Sequence, residues 1–595
     1  MFKKHIVAIV VSSIILLLMY IAYAFISKDD IMLMIQNQIE KNFHQKVEFS
    51  NVTLSVLPSL KVEIDDLALY ENAFKTVEVK KLILNLNIDT LMEKRLVIES
   101  IELVSPTVTI IPSTAASEKS TDSNQSFDPE QLQVLKKLTI RDGTILYNNQ
   151  YRLNRIDTEL DITPQMITIA KFKATLGQNH LSTVLSGLIN IQDERLSLNL
   201  AVKTNSLKTL LQQFDVNLSD QKNSLENFKF SGAIKADKNS FLLKNVKVAL
   251  DDTHVDFEAV IKDYNLSTMA FRTTIDKIDL NRYLPTDANN TQRSQAEEEA
   301  EPAEDLAPLI EMVTRLRISN SVKIASLKIK NYELSDIFLK GKIADGKVNI
   351  NPVTFKIYDG KFEGSIAVDL SDDEPKFNIK YKIKQADIEQ IFKQRKVPEL
   401  LSGRVNLLSR ITTRGNNVES LLENAEADIA LFGEDLLFKK YDIDRALVGF
   451  DKVTSFDMID LAGVVAGPLG IILVNTYDAY EMKADLDKGG QTKIVKLMAS
   501  WKIKNLVASA RDVAIKTPKN RIAIKGDIDL KEARIQRLYI GILNKKGCAK
   551  YLQKIRTLND GSIVADNKVG VITTPFKKLF DTDEDCRVFY KGRIK

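Results

Sequence analysis

Apolar side chains at every second position recur along most of this chain, and that period of two restricts its fold more than any other feature. The clearest runs are Leu82, Leu84, Leu86, Ile88; Leu196, Leu198, Leu200, Val202; and Phe377, Ile379, Tyr381, Ile383. In the last run the intervening residues Lys376, Asn378, Lys380 and Lys382 are all polar. Successive side chains of a strand point to opposite faces, so each run predicts a strand with one oily and one wet face. Shorter runs at Val47 and Phe49, at Val52, Leu54 and Val56, and at Val62 and Ile64 predict the same near the N-terminus. Asp142-Gly143, Asp345-Gly346 and Asp359-Gly360 fall between alternating runs and predict hairpin turns. The expectation is antiparallel meanders in place of βαβ units.

Helical signals are few. Asp29 or Asp30 caps a stripe of Ile31, Met34, Ile35, Ile39 and Phe43. Three strands end in a polar residue followed by apolar ones at +1, +4 and +5: Ser206 with Leu207, Leu210, Leu211; Asp279 with Leu280, Tyr283, Leu284; Asp387 with Ile388, Ile391, Phe392. This predicts a strand-bearing unit closed by a short capped helix and used at least three times, hence an elongated array. Residues 112–130 and 285–308 are rich in Pro, Ser, Asn, Ala and Glu and read as a linker and an acidic insertion.

Ile6 to Ile26 run without a charge, long enough at 1.5 Å per residue to cross roughly 30 Å of hydrocarbon. Lys3 and Lys4 before the run, and Asp29 and Asp30 after it, predict a cytoplasmic N-terminus with everything beyond residue 27 exported. Ala22-Tyr23-Ala24 imitates a signal-peptidase site, so a cleaved signal stands as the competing reading and exports the same residues. Cys548 and Cys586 are the chain's two cysteines, and in an oxidising compartment a disulfide between them is expected.

Chemistry is sparse. A length of 595 residues leaves room for about four domains. A net charge of +4 spread over the whole chain argues against a nucleic-acid binder, and four scattered histidines supply metal ligands poorly. Gly341 to Val348 imitates a phosphate loop but ends in valine where the Mg²⁺-binding hydroxyl belongs. Nucleophile-elbow, zincin and CxxC motifs are missing from the sequence. The expectation is a non-enzyme without cofactors. Apolar sheet faces then have two readings: they pack on one another as a core, or they line a groove for hydrocarbon. Moving the roughly 30 methylenes of a two-chain lipid through water costs on the order of 20 kcal/mol, and an oily trough removes most of that penalty.

Residues 47–69 (VEFSNVTLSVLPSLKVEIDDLAL) and 76–110, together with 401–431, SFDMIDLAGVVAGPLG at 455–470, 510–530, 547–556 and 586–592, resemble segments typical of the AsmA family. The resemblance covers about half the chain. The acidic insertion and a length below that of the largest members depart from the pattern. Membership implies a cell inner-membrane, single-pass protein held through residues 6–26, with its bulk in the periplasm of a Gram-negative envelope and a part in outer-membrane homeostasis. It also implies a bridge-like lipid transfer architecture, in which repeated antiparallel sheets curl into a gutter with an apolar concave face. The fold expected is therefore mainly β with short helices: an N-terminal transmembrane helix followed by an elongated antiparallel repeating β-groove. The layout is 1–27 tip and anchor, 28–111 helix plus β-sheet unit, 112–130 linker, 131–284 central repeats, 285–308 acidic insertion, 309–400 further repeat and 401–595 C-terminal region. Candidate groove-facing residues are Leu82, Leu84, Leu86, Ile88, Leu196, Leu198, Leu200, Phe377, Ile379, Tyr381 and Ile383. Phospholipid is the expected ligand and an outer-membrane or periplasmic protein the expected partner, with no nucleic acid. The alternative is an envelope scaffold or assembly factor for outer-membrane proteins, with no lipid conduit.

Overall fold

The computed structural model describes residues 46–55, 60–71, 74–86, 98–110, 135–148, 151–176, 181–212, 224–265, 267–283, 307–372, 374–395, 399–439, 442–448, 466, 490–558, 563–565 and 588–595. The predicted anchor at 6–26, the stripe at 31–43, the linker at 112–130, Ile88 and Cys586 lie outside them. No described helix is long and apolar enough to cross a membrane.

The chain forms two compact units, Met1–Thr274 with Arg282–Pro285, and Ile275–Asn281 with Thr286–Lys595. The first holds β1 (Lys46–Glu48), β2 (Asn51–Ser55), β3 (Leu60–Glu71), β4 (Phe74–Leu86), β5 (Ile98–Ile110), β6 (Lys137–Tyr147), β7 (Tyr151–Ile162), β8 (Met166–Leu176), β9 (Leu181–Asn190), β10 (Arg195–Thr204), β11 (Phe228–Ala236), β12 (Ser240–Leu250), β13 (Thr253–Lys262) and the start of β14 (Thr268–Asp279). The second holds β15 (Arg317–Ile329), β16 (Tyr332–Ala344), β17 (Lys347–Ile357), β18 (Gly360–Asp369), β19 (Lys376–Asp387), β20 (Leu401–Ser402), β21 (Arg404–Arg414), β22 (Glu426–Lys439), β23 (Gln491–Lys504), β24 (Val507–Lys516), β25 (Arg521–Asp529), β26 (Arg534–Leu543), β27 (Ala549–Thr557) and β28 (Ile563–Ala565). Among the described residues the helices are short: α1 (Leu207–Gln212), a 3₁₀ turn (Leu280–Arg282), α2 (Ala307–Thr314), α3 (Ile388–Arg395), α4 (Val418–Glu423) and α5 (Ile443–Val448). Mainly β with few short helices is thus the observed class.

Neighbouring strands pair antiparallel from β6 to β13 in the first unit, and from β15 to β28 in the second with β19 bonding directly to β21. One pair corrects the antiparallel expectation. β5 and β6 run parallel, Ser100 opposite Lys137 and Ile110 opposite Tyr147. Parallel neighbours need a crossover of a dozen residues or more, and 112–130 falls inside this one.

One of the three Asp-Gly turns occurs as read, a second is shifted by one residue, and the third is a bulge. Asp345 and Gly346 both have positive φ, 52° and 71°, as the primed two-residue turn joining β16 to β17 requires. At the β17–β18 hairpin the turn lies one residue early, on Tyr358 and Asp359 (52° and 54°), and Gly360 opens β18. Asp142-Gly143 is a correction: it sits inside β6 as a bulge, with Asp142 at φ 53° and the register shifting between Ile140 and Gly143. Similar left-handed residues interrupt β3 at Asp66, β12 at Asn245, β16 at Asp336, β19 at Gln385 and β22 at Asp435. Bulges bend a strand and raise its local twist.

The three capped sites also form helical turns: α1 after Ser206, the 3₁₀ turn after Asp279 and α3 after Asp387. Asp279 Oδ1 accepts from Asn281 N at 3.1 Å and Asp387 Oδ1 from Glu389 N at 3.0 Å. A fourth such turn, α4, has Asn417 and Ser420 in a reciprocal capping box. The last two residues of the predicted acidic insertion belong elsewhere, since Ala307 opens α2.

Candidate functional site: the half-covered apolar faces

Burial differs sharply between the ends and the middle of these sheets. In β3 to β5 the apolar face is fully covered, with Val62, Ile64, Leu67, Leu82, Leu84 and Ile101 at 3% exposure or less. In β22 to β27 a large core closes over Phe438, Ile494, Trp501, Ile522, Leu538 and Ile555. The Trp501 indole donates to the Ala466 carbonyl at 3.0 Å, and buried Asp444 accepts from Thr517 Oγ1 at 2.5 Å and Asn520 Nδ2 at 2.7 Å. Here even consecutive residues are buried, Val513-Ala514-Ile515 and Ile522-Ala523-Ile524, because residues 588–595 cover the second face. Asp512 accepts from Tyr590 Oη and, at 3.2 Å, from Arg593 N. Burial, and then the bond to Asp512, push the Tyr590 phenol well above its ordinary value.

Between these ends the apolar faces are only half covered. In the first unit the register aligns Ile169, Gly187, Leu198, Ile234, Leu243 and Ala259 across β8 to β13. All but Ala259 keep partial exposure. In the second unit Gly341, Ile350, Ile366, Ile379, Ile411, Ala427 and Ile503 align across β16 to β23. The adjacent row runs Val353, Gly364, Tyr381, Ser409, Ile429 and ends at Trp501, passing from half-open strands into the closed core. At about 4.8 Å per strand these rows are roughly 25–30 Å long. That exceeds one acyl chain, which fills about half of a 30 Å bilayer core.

Two glycines in these rows have no room for a side chain. A Cβ on Gly187, whose φ is +147°, would lie 2.1 Å from Ser197 O, and one on Gly364 would lie 2.9 Å from the Phe362 ring. Phe362 in turn stacks on Phe355 (centroids 4.1 Å apart) and on Tyr381 (5.5 Å), giving three aromatic rings side by side on β17, β18 and β19. Next to Tyr381, Ser409 is 6% exposed and its hydroxyl has no hydrogen-bond partner among the described residues. On the opposite, wet face two hollows of about 750 and 830 Å³ cross β17, β18, β19, β21 and β22; the larger is bordered by Glu363, Ser365, Lys380, Lys382, Arg410 and Asp428.

The predicted groove residues divide accordingly. Leu196, Leu198 and Leu200 on β10, and Phe377, Ile379, Tyr381 and Ile383 on β19, lie on half-covered faces. Leu82 and Leu84 are core residues at 1% and 0% exposure; Leu86 belongs to β4, and Ile88 lies outside the description. Cys548 is buried at 4% exposure and bridges to Val588, two positions from Cys586.

On the wet face of β18, Glu363 is held by Lys361 at 2.9 Å and Lys382 at 2.7 Å. Hydrogen bonds from Lys382 and then Lys361 bring its carboxyl down to about 2.

A family model described as AsmA family matches residues 144–511, from β6 into β24, and so takes in every half-covered strand described above. The chain belongs to the AsmA family. The AsmA match ends inside the closed module, before β25. No curated protein matches the chain.

Proposed function

We propose that this AsmA-family chain binds and transfers phospholipid along the apolar faces of β8 to β13 and β16 to β21. The reading rests on one observation: these faces are continuous in register yet half covered, whereas the sheet ends of the same chain are filled. Hydrocarbon laid on such a face leaves water at about 0.8 kcal/mol per methylene. No reactive side chain is needed, so the protein acts as a non-enzyme. Residues 6–26 anchor it in the inner membrane, N-terminus inward, with the bulk periplasmic, where it serves outer-membrane assembly together with an envelope protein partner. Cys548 and Cys586 pair there as a disulfide. The filled module from β22 to β27 favours a scaffolding role for that part, since its apolar residues are already used up as core.

The test is mass spectrometry of lipids retained by the full chain extracted from membranes, compared with Ile379→Asp and Leu198→Asp variants. Phospholipid above the level of a control membrane protein, reduced by either variant, supports the reading. Equal retention in all three contradicts it.

A further inference from the structure

The wet face of the second unit has a character that the proposed apolar groove does not use. On β19 and β21 the side opposite Ile379 carries Lys376, Lys380, Lys382, Lys384, Arg410 and Arg414. Glu363 on β18 pairs with Lys361, Lys382 and Lys384, Asp369 with Lys347, Asp372 with Lys376 and Glu374 with Arg414, and Asp428 on β22 stands opposite Arg410. The face continues through Lys342 on β16, which lies opposite Asn349. Lys380 and Arg410 oppose each other directly across β19 and β21, both exposed, and neither has an acid within ion-pair distance among the described residues. Like charges directly opposed destabilise a sheet. Lys380, Lys382 and Arg410 also border the 830 Å³ hollow, where Ser365, Ala430 and Ser500 leave room between the long side chains; Glu363 and Asp428 complete its rim.

We infer that this basic face docks on the surface of a bilayer containing anionic phospholipid. Charge complementarity carries the assignment: an anionic leaflet attracts nearby basic clusters, and a phosphate between Lys380 and Arg410 relieves their repulsion. Lysine predominates, and its ammonium is a point charge on a flexible stem, suited to a fluid array of headgroups more than to a ligand of fixed shape. Phe338, the aromatic on this face of β16, lies beneath Lys323 at 6.0 Å.

The full chain is reconstituted into labelled phosphatidylcholine vesicles, and capture of a second vesicle population is measured by co-sedimentation. Acceptors contain either pure phosphatidylcholine or 30% phosphatidylglycerol. Anionic acceptors are expected to be captured, neutral ones not, and capture should fall as salt shortens the Debye length. Each cation near an anionic leaflet contributes about a fivefold change, so losing three of them in Lys342→Glu/Lys380→Glu/Arg410→Glu should weaken capture by at least on the order of a hundredfold, and the added negative charges should weaken it further. The milder Lys380→Gln/Arg410→Gln removes the opposed pair without adding charge, keeps the fold, and should weaken capture roughly 25-fold. Inorganic phosphate, matched in ionic strength to a chloride control, should compete no better than chloride. Equal capture of neutral acceptors, undiminished capture by the Gln variant, specific displacement by free phosphate, or retention on heparin without vesicle capture each overturns the inference. Lipid retention by the apolar face is read separately, so the two readings fail independently.

Discussion

Truncating one side chain in the closed module and one on the half-covered face separates the two kinds of surface in energy. Leu538 is 0% exposed inside the core that includes Trp501, Ile540 and Ile555. Leu538→Ala loses the transfer energy of the removed carbons and leaves a cavity, costing about 2–5 kcal/mol. Ile379 shares its face with Ile366 and Ile411 but nothing covers it completely. A fully buried isoleucine is worth about 1.5–3 kcal/mol, so half covering leaves Ile379→Ala at roughly 1 kcal/mol. Urea unfolding is the assay. Trp501, the chain's one tryptophan, reports the module through its fluorescence, and far-UV circular dichroism reports all strands. At about 2 kcal/mol per M of urea, Leu538→Ala should lower the midpoint of the fluorescence transition by 1 M or more, and Ile379→Ala by about 0.5 M or less. If Ile379→Ala costs as much as Leu538→Ala, its face is a packed core and the distinction between open and closed strands is wrong.

Three further outcomes follow from single sites. Glu363 has a depressed carboxyl, so its stabilising contribution is complete above the unfolded value near 4.5 and is lost as pH falls through about 2; the midpoint difference between wild type and Glu363→Gln should shrink across that window, and a constant difference would count against the Lys361 and Lys382 contacts. Peptide mapping without reductant should give one linked peptide joining Cys548 and Cys586, and removing the link should cost about 2–5 kcal/mol; two freely alkylated thiols in the denatured, unreduced protein would exclude it. Asp444→Ala leaves Asn520 and Thr517 without their buried acceptor and should destabilise the module by about 1–3 kcal/mol in the Trp501 transition, with no change expected in lipid retention.

Much of this architecture is legible in the chain because alternation is a local signal. The runs on β10 and β19, the Asp345-Gly346 turn and the caps at Asp279 and Asp387 all depend on neighbours a few residues apart. What escapes is set by distant partners. Leu82 and Leu198 sit in similar alternating runs, yet one is sealed and the other half open, since the covering layer is not written in the strand that it covers. Asp142-Gly143 has the composition of a turn, but its partners on β7 continue past it, so the same left-handed preference makes a bulge. The parallel pairing of β5 with β6 is hidden because a period of two does not depend on strand direction. Two further local signals are present in the chain: Asn417 with Ser420 three residues later forms a capping box, and the unbroken apolar residues Val513-Ala514-Ile515 mark a strand covered on both faces.

The central claim concerns which side of a half-covered strand meets hydrocarbon, and neighbouring positions on β10 decide it most directly. Leu198 lies on the apolar row and Asn199 points to the other face. A photo-crosslinking residue placed at each position in turn, irradiated in membranes and analysed by mass spectrometry, should give phospholipid adducts at 198 and none at 199. Adducts at both positions alike, or at neither, would contradict the account.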